Sequence, residues 1–414
     1  MKFSFKKMGA PLSAALIVAL SFAGFMGVKN LCLEQRILDI SDTMETVSDQ
    51  AIRKDITPID IKAGAAVLMD QKTGQLIYSL NGDKKMAPAS VTKVMTMLLV
   101  MEACEDKKIS PDDKVTVSEN AASMGGSQMY MEPGEEHTVD ELMYGVAMAS
   151  ANDGCVALAE YVSGSEDTFV DRMNKRAAEL GMKNTAFINT NGLPVKGHYT
   201  SACDIAIMSC ELLKHDKIKK YTKTWMKDIE VGLDGREKTF TLTNTNKLIK
   251  TYKGAYGLKT GFTEDAGYCL CAAAQRGDTN LVAVILDADS SKERNREISR
   301  LLDYGFSSYE SAVILRKGES TGIFRIKGGE PEEIEGIAGE DISCFVKKGE
   351  KDKVKTETVI YDDIKLPLKK GEKIGYVKAM YNGQEYEAGI ITAGEDIKKA
   401  TFFNYFKRVL ESVI

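Results

Sequence analysis

Apolar residues recur along this chain with a rhythm that changes several times, and each change marks a different kind of element. Lys2, Lys6 and Lys7 precede a mostly apolar stretch from Gly9 to Val28, the layout of an export signal over residues 1–28. Ser21 and Ala23 suit cleavage before Gly24; the stretch is also long enough to remain as an anchor, although Pro11, Ser13 and Ser21 dilute it and favour cleavage. Residues 29–60 form a polar linker, in which Cys32 lacks the small neighbours that lipidation requires. From Ala65 to Leu80 two apolar runs flank the turn Asp70-Gln71-Lys72-Thr73-Gly74 and predict a hairpin. Ser90 to about Lys214 is mainly helical in period, with a capping box at Thr138 and Glu141 and a stop at Gly181. Strands return after Met226, with a second buried hairpin over Gly267–Ala274 and Leu281–Leu286 and a closing helix from Ser291 to Tyr304.

Strands at both ends with helices between predict an α+β fold over residues 61–309, one antiparallel sheet covered by helices. Across 310–394 short apolar runs alternate with glycine turns such as Gly328-Gly329 and Asn382-Gly383, the pattern of a small all-β domain. Residues 395–414 place Phe402, Phe403, Phe406, Val409, Leu410, Val413 and Ile414 on one helical face, largely opposite Lys398, Asn404, Lys407, Arg408 and Ser412. Such a helix suits a membrane surface, and Ala393-Gly394-Glu395 lets it stand apart; a helix docked on the β domain or on a partner is the alternative.

Composition narrows the chemistry. A net charge of -5 with dispersed basic residues gives no reason to invoke nucleic acid. The eight cysteines are irregularly spaced and mostly inside apolar patterns, which favours buried thiols over a disulfide framework. Three histidines, without a ligand cluster, speak against a zinc hydrolase, and no motif implies a cofactor.

The chemistry concentrates in Ser90-Val91-Thr92-Lys93, at the head of the apolar run Val94–Met101. Residues three apart on a helix share a face, so Ser90 can meet Lys93, and burial lowers the lysine pKa towards a usable base. A lysine snorkelling from a surface helix fits the same tetrad, and chance makes such patterns, as Ser4-Phe5-Lys6-Lys7 shows. Ser-x-Asn occurs three times: Ser79-Leu80-Asn81 at a strand end, Ser118-Glu119-Asn120 as a helix N-cap, and Ser150-Ala151-Asn152, which with Asp153 interrupts a small-residue helical stretch. Lys72-Thr73-Gly74 belongs to the first hairpin turn, whereas Lys259-Thr260-Gly261 opens a strand where lysine and threonine can bind a carboxylate and glycine lets an extended substrate pass.

In that order, Pro88-Ala89-Ser90-Val91-Thr92-Lys93, Ser150-Ala151-Asn152-Asp153 and Lys259-Thr260-Gly261 resemble the penicillin-binding D-alanyl-D-alanine carboxypeptidases, across about Ile61 to Tyr309. The resemblance implies Ser90 as acylated nucleophile, Lys93 as its base and Ser150 as proton relay. It implies Asn152 on the substrate amide, Lys259, Thr260 and Gly261 on the terminal carboxylate side, and the backbone N–H groups of Ser90 and Phe262 as oxyanion hole. Phe262 replaces a histidine common in that family, and Arg294 matches an arginine that assists the carboxylate, although a solvated helix arginine would read the same. The implied substrate is the peptidoglycan stem pentapeptide on the outer face of the membrane, with β-lactams as covalent inhibitors. A class A β-lactamase shares two motifs but carries a deacylating glutamate, and 183–192 here contains no acidic residue. A non-catalytic wall-binding or β-lactam-sensing protein is the other alternative.

Overall fold

The computed structural model of the chain describes residues 56–233 and 235–413, so the export segment and nearly all of the linker lie outside the described residues. Strands β1 (Ala65–Asp70) and β2 (Leu76–Leu80) form the expected hairpin. Asp70 ends β1 by accepting from the Thr73 amide at 2.8 Å and hydroxyl at 2.7 Å, and Gly74 takes the φ of 69° that the turn requires. The first Lys-Thr-Gly is thus a turn, and its Lys72 reaches Asp341 O and the Ser343 hydroxyl. The decoy Ser-x-Asn motifs are equally structural. Asn81 holds Gly64 O at 3.0 Å, and the Ser118 hydroxyl accepts from the Ala121 amide at 3.0 Å as an N-cap.

Strands β3 (Ala255–Thr263), β4 (Gly267–Arg276) and β5 (Thr279–Ala288) complete an antiparallel sheet of order β2-β1-β5-β4-β3. Both faces are covered, so alternate residues enter different cores. In β5, Val282, Val284 and Leu286 face one cluster while Leu281, Ala283 and Ile285 face the other. The first cluster contains helices α1 (Lys93–Glu105), α2 (Asn152–Ser163), α3 (Glu166–Glu179) and α4 (Ala202–Leu212); the second lies under α5 (Ser291–Ser308). Helix α1 is apolar all round because it runs through the middle of the first cluster. A two-stranded ribbon, Lys114–Thr116 with Glu136–Thr138, interrupts the predicted helical region. All seven described cysteines are free, and six of them are buried.

Residues from Tyr309 onward build a five-stranded sheet and smaller ladders around Ile334, Ile342, Val346, Ile374 and Ile391. The last helix, α6 (Phe402–Val413), differs from expectation. It begins later, because Lys398–Lys399 is drawn into a ladder with Gly329–Glu330. Nor does it stand apart. Gly394 is pinned to Glu335 O, and Arg408 binds Glu330 at 2.8 Å, Glu332 at 3.2 Å and Gly329 O at 2.6 Å. Phe402, Phe403, Phe406 and Val409 remain between 55% and 80% exposed.

Candidate active site

Ser90 lies in a 3₁₀ turn, Ala89–Thr92, that precedes α1. Pro88 disfavours an earlier helical start, as its fixed ring would. Ala89 has a φ of 48°, a left-handed conformation that costs an alanine about 1–2 kcal/mol. A buried chain of hydrogen bonds holds it there. The Ile188 amide donates to His198 Nδ1 at 3.0 Å, which leaves Nε2 to donate to the Thr92 hydroxyl at 2.8 Å, and Thr92 donates to Ala89 O at 2.9 Å. Burial lowers the His198 pKa to about 4, so this tautomer persists at neutral pH.

Lys93 is fully buried, and its Nζ lies 3.0 Å from Ser90 Oγ, 2.7 Å from Asn152 Oδ1 and 2.6 Å from Asn191 O. Asn152 Nδ2 donates to Gly125 O at 2.7 Å, which fixes the orientation of that amide. Asn152 Oδ1 and Asn191 O can only accept. A neutral Lys93 therefore spends both N–H bonds on them and aims its lone pair at the serine. Desolvation lowers its pKa from 10.5 to about 8, opposed by Cys155 and Asp153. The surface-helix alternative for Lys93 is excluded by this burial.

Ser150 closes a π-helical turn, Gly145–Ala149, with a φ of 65°. Its buried hydroxyl has no hydrogen-bond partner among the described residues, a cost borne at a site that a ligand completes. Asp153 accepts from the amides of Met129, Tyr130 and Gly154, which ties the 125–131 loop to the start of α2.

Lys259 is also fully buried, and its Nζ donates to Thr260 O at 3.1 Å. Burial, then the nearby charge of Lys93, push its pKa well below the lysine range, with Arg294 adding to the effect. Arg294 is 5% exposed, so it is not the solvated helix arginine of the alternative. Its partners are neutral: Cys269 O, the Ser291 hydroxyl and the Asn295 amide oxygen. Lys93, Lys259 and Arg294 thus converge without a carboxylate paired to any of them among the described residues, an arrangement that an anionic ligand relieves. Thr260 Oγ1 is held by Thr245 Oγ1 at 2.7 Å. The close approach expected at Gly261 is made by the protein itself: a Cβ there would lie 3.1 Å from Ala89 Cβ and 3.2 Å from Ser90 N. Glycine is needed because edge strand β3 presses against the backbone of Ser90.

The family described as D-alanyl-D-alanine carboxypeptidase matches residues 50–290, and the penicillin-binding protein 5 C-terminal domain matches 309–399. The chain belongs to the D-alanyl-D-alanine carboxypeptidase family. It is 45% identical over 350 residues to D-alanyl-D-alanine carboxypeptidase DacF of Bacillus subtilis, covering 84% of this chain and 89% of that one. It is 33% identical to DacC of Escherichia coli over 83% and 86% of the two chains. Penicillin-binding protein 5 of Haemophilus influenzae has a similar fold, with a TM-score of 0.66 and 31% identity over 83% of this chain and 100% of that one.

The carboxypeptidase fold brings Ser90, Lys93 and Asn152 into direct contact and sets Gly261 against Ser90. Phe262 is 53% exposed and leans on Tyr268, ring centroids 4.4 Å apart. Sequence reasoning missed Asn191 and Gly192. The carbonyl of Asn191 holds Lys93, and a Cβ on Gly192 would fall 1.8 Å from Ala89 O. Their signal was available in Asn189-Thr190-Asn191-Gly192, a polar turn sequence. Asn189 Oδ1 folds that turn by accepting from the Gly192 amide, and Glu166 of α3 anchors it through Thr190.

Proposed function

We propose that this chain removes the terminal D-alanine from peptidoglycan stem pentapeptides through a serine acyl-enzyme. The observation that carries the reading is the contact of Ser90 with a buried Lys93 whose pKa is lowered to about 8, beside cations that lack a counter-charge. Neutral Lys93 takes the Ser90 proton as Oγ attacks the penultimate carbonyl, and the backbone N–H groups of Ser90 and Phe262 receive the oxyanion. Lys259, Thr260 and Arg294 hold the terminal carboxylate. The proton returns through Ser150 to the leaving amine, D-alanine departs, and water hydrolyses the ester. Asn152 serves chiefly to orient Lys93, with its remaining N–H and lone pair available to the substrate amide. Penicillin acylates the same serine and leaves slowly, since 183–192 supplies no carboxylate and Glu166 is engaged by Thr190.

Release of D-alanine from a pentapeptide, lost in Ser90→Ala together with fluorescent penicillin labelling, is the expected result. Labelling without release by folded protein would instead indicate a sensor, and rapid penicillin turnover a β-lactamase. We further propose that the enzyme is exported and lies on the outer face of the membrane through the aromatic face of α6. Among the described residues no helix is long and apolar enough to span a membrane. Replacing Phe402, Phe403 and Phe406 by serine in signal-processed protein should release it from vesicles; unchanged binding would remove α6 as the anchor.

A further inference from the structure

A cavity of about 880 Å³ opens beside Ala255 and Tyr256, the first residues of β3, and is lined by Lys219, Lys223, Lys250 and Lys253 without an acidic residue. Tyr256 and Lys259 are three strand residues apart, so the cavity lies about 10 Å along β3 from the catalytic motifs. Lysines scattered through the sequence are gathered here into two rows. Lys219 and Lys223 stand one turn apart at the short helix Ile218–Thr222, and Lys250 and Lys253 follow one another at the end of the helix Leu248–Thr251. Lys219 is ion-paired, with Asp216 at 3.1 Å, whereas Lys223, Lys250 and Lys253 are exposed and have no ion-pair partner among the described residues. Lys250 Nζ lies over the Trp225 ring, 4.5 Å from its centroid, and the nearby Asp303 is already held by Arg276 and Tyr252. Like charges around one concave surface repel one another and focus a positive potential, which an anionic ligand relieves.

Shape and spacing indicate which anion. A single phosphate is too small to touch both rows of so wide a cavity, and a flat bilayer surface cannot enter it. An extended chain with recurring charges can lie between the rows. Side chains one helical turn apart leave the backbone about 5–6 Å from each other, and phosphodiesters joined by a short polyol recur at a comparable interval. Nucleic acid carries the same charge but gains from aromatic faces on which its bases stack. The rings here are committed: Tyr252 donates to Asp303 at 2.8 Å and is covered by Arg276, and Tyr256 is buried beside Lys219. We infer that this cavity binds a linear polymer of polyol phosphodiesters, gripped between the Lys219–Lys223 and Lys250–Lys253 rows. The site is separate from the serine and does not depend on the carboxypeptidase reading.

The test titrates end-labelled poly(glycerol phosphate) with signal-processed protein and follows fluorescence anisotropy. Four lysines releasing counterions from a single strand should weaken binding roughly 50-fold between 50 and 200 mM salt. The pairs Lys219→Glu with Lys223→Glu, and Lys250→Glu with Lys253→Glu, should each lower affinity more than about ten-fold and reduce the salt effect to below about ten-fold. Lys348→Glu with Lys355→Glu, exposed lysines of the β domain, makes the same change in net charge and should alter affinity less than about two-fold. Fluorescent penicillin labelling, which the cavity does not serve, reports that each variant is folded. Absence of binding at 50 mM salt overturns the site, as does equal weakening by all three pairs, which would reduce it to net charge. Displacement by inorganic phosphate at equal phosphate concentration overturns the two-row grip. Tighter binding of an oligothymidylate with the same number of phosphates overturns the assignment to a polyol polymer.

Discussion

Acylation of Ser90 by a fluorescent penicillin should accelerate with pH and level off just above pH 8. Lys93 must be neutral to accept the serine proton, and burial places its pKa at about 8 rather than 10.5. At one tenfold per 1.36 kcal/mol, that shift is worth about 3 kcal/mol of disfavoured ammonium. The neutral fraction is then about 1% at pH 6, about a tenth at pH 7 and about half at pH 8. The second-order acylation constant, which reports the free enzyme, should therefore rise roughly ten-fold from pH 6 to 7, about five-fold from 7 to 8, and less than two-fold beyond 8. Stopped-flow labelling between pH 5.5 and 10 measures it. Lys93→Arg retains the cation but cannot shed its proton, so its rate should fall by about 10²- to 10⁴-fold and lose the upward limb. A wild-type profile flat from pH 6 to 9 would show that Lys93 is not the base. A climb continuing at ten-fold per unit to pH 10 would show that its pKa is not depressed.

Gly192→Ala should cost several kcal/mol in urea unfolding and abolish labelling, because its Cβ would meet Ala89 O at 1.8 Å and its φ is 85°. Gly261→Ala should fold but acylate about ten-fold more slowly, since its 3.1–3.2 Å contacts ask only for a small shift of β3 from Ser90. His198 makes the fold acid-sensitive: its pKa falls from 6.5 to about 4, so the unfolded chain binds the extra proton first. The stability it supports is complete above about pH 6.5 and declines by about 3 kcal/mol as the pH drops through 4; His198→Gln should flatten that slope in denaturation measured from pH 7 to 4. Arg294→Ala should weaken kcat/KM for the pentapeptide about 10- to 100-fold, and Arg294→Lys less, as measured by D-alanine release.

Much of this architecture was legible from the chain because hydrophobic period survives in both hairpins, in α1 and in α5. The two Lys-Thr-Gly motifs were also separable beforehand, since Asp70-Gln71-Lys72-Thr73-Gly74 is recognisable as turn chemistry, whereas Ser90 and Lys93 stood out only together with the Ser150 and Lys259 motifs. What stayed hidden depends on distant backbone. Asn191 acts through its carbonyl, which carries no side-chain signature, and the conformation of Ala89 is imposed by His198 across more than a hundred residues of sequence. The start of α6 was misplaced for a similar reason. Lys398 and Lys399 have no strand pattern of their own and become a ladder only because Gly329 and Glu330 lie beside them.

The three-way grip of Arg408 on Glu330, Glu332 and Gly329 O bears on how the enzyme searches its substrate. A helix joined by a slack tether would let the catalytic half tumble through a hemisphere above the bilayer. On the proposed membrane attachment, a clamped one resting on its phenylalanines would fix the tilt of the body and confine the cleft to a thin layer at constant height. Encounter with stem peptides would then become a two-dimensional patrol, with the shell of wall within reach set by the β half as a post of fixed length.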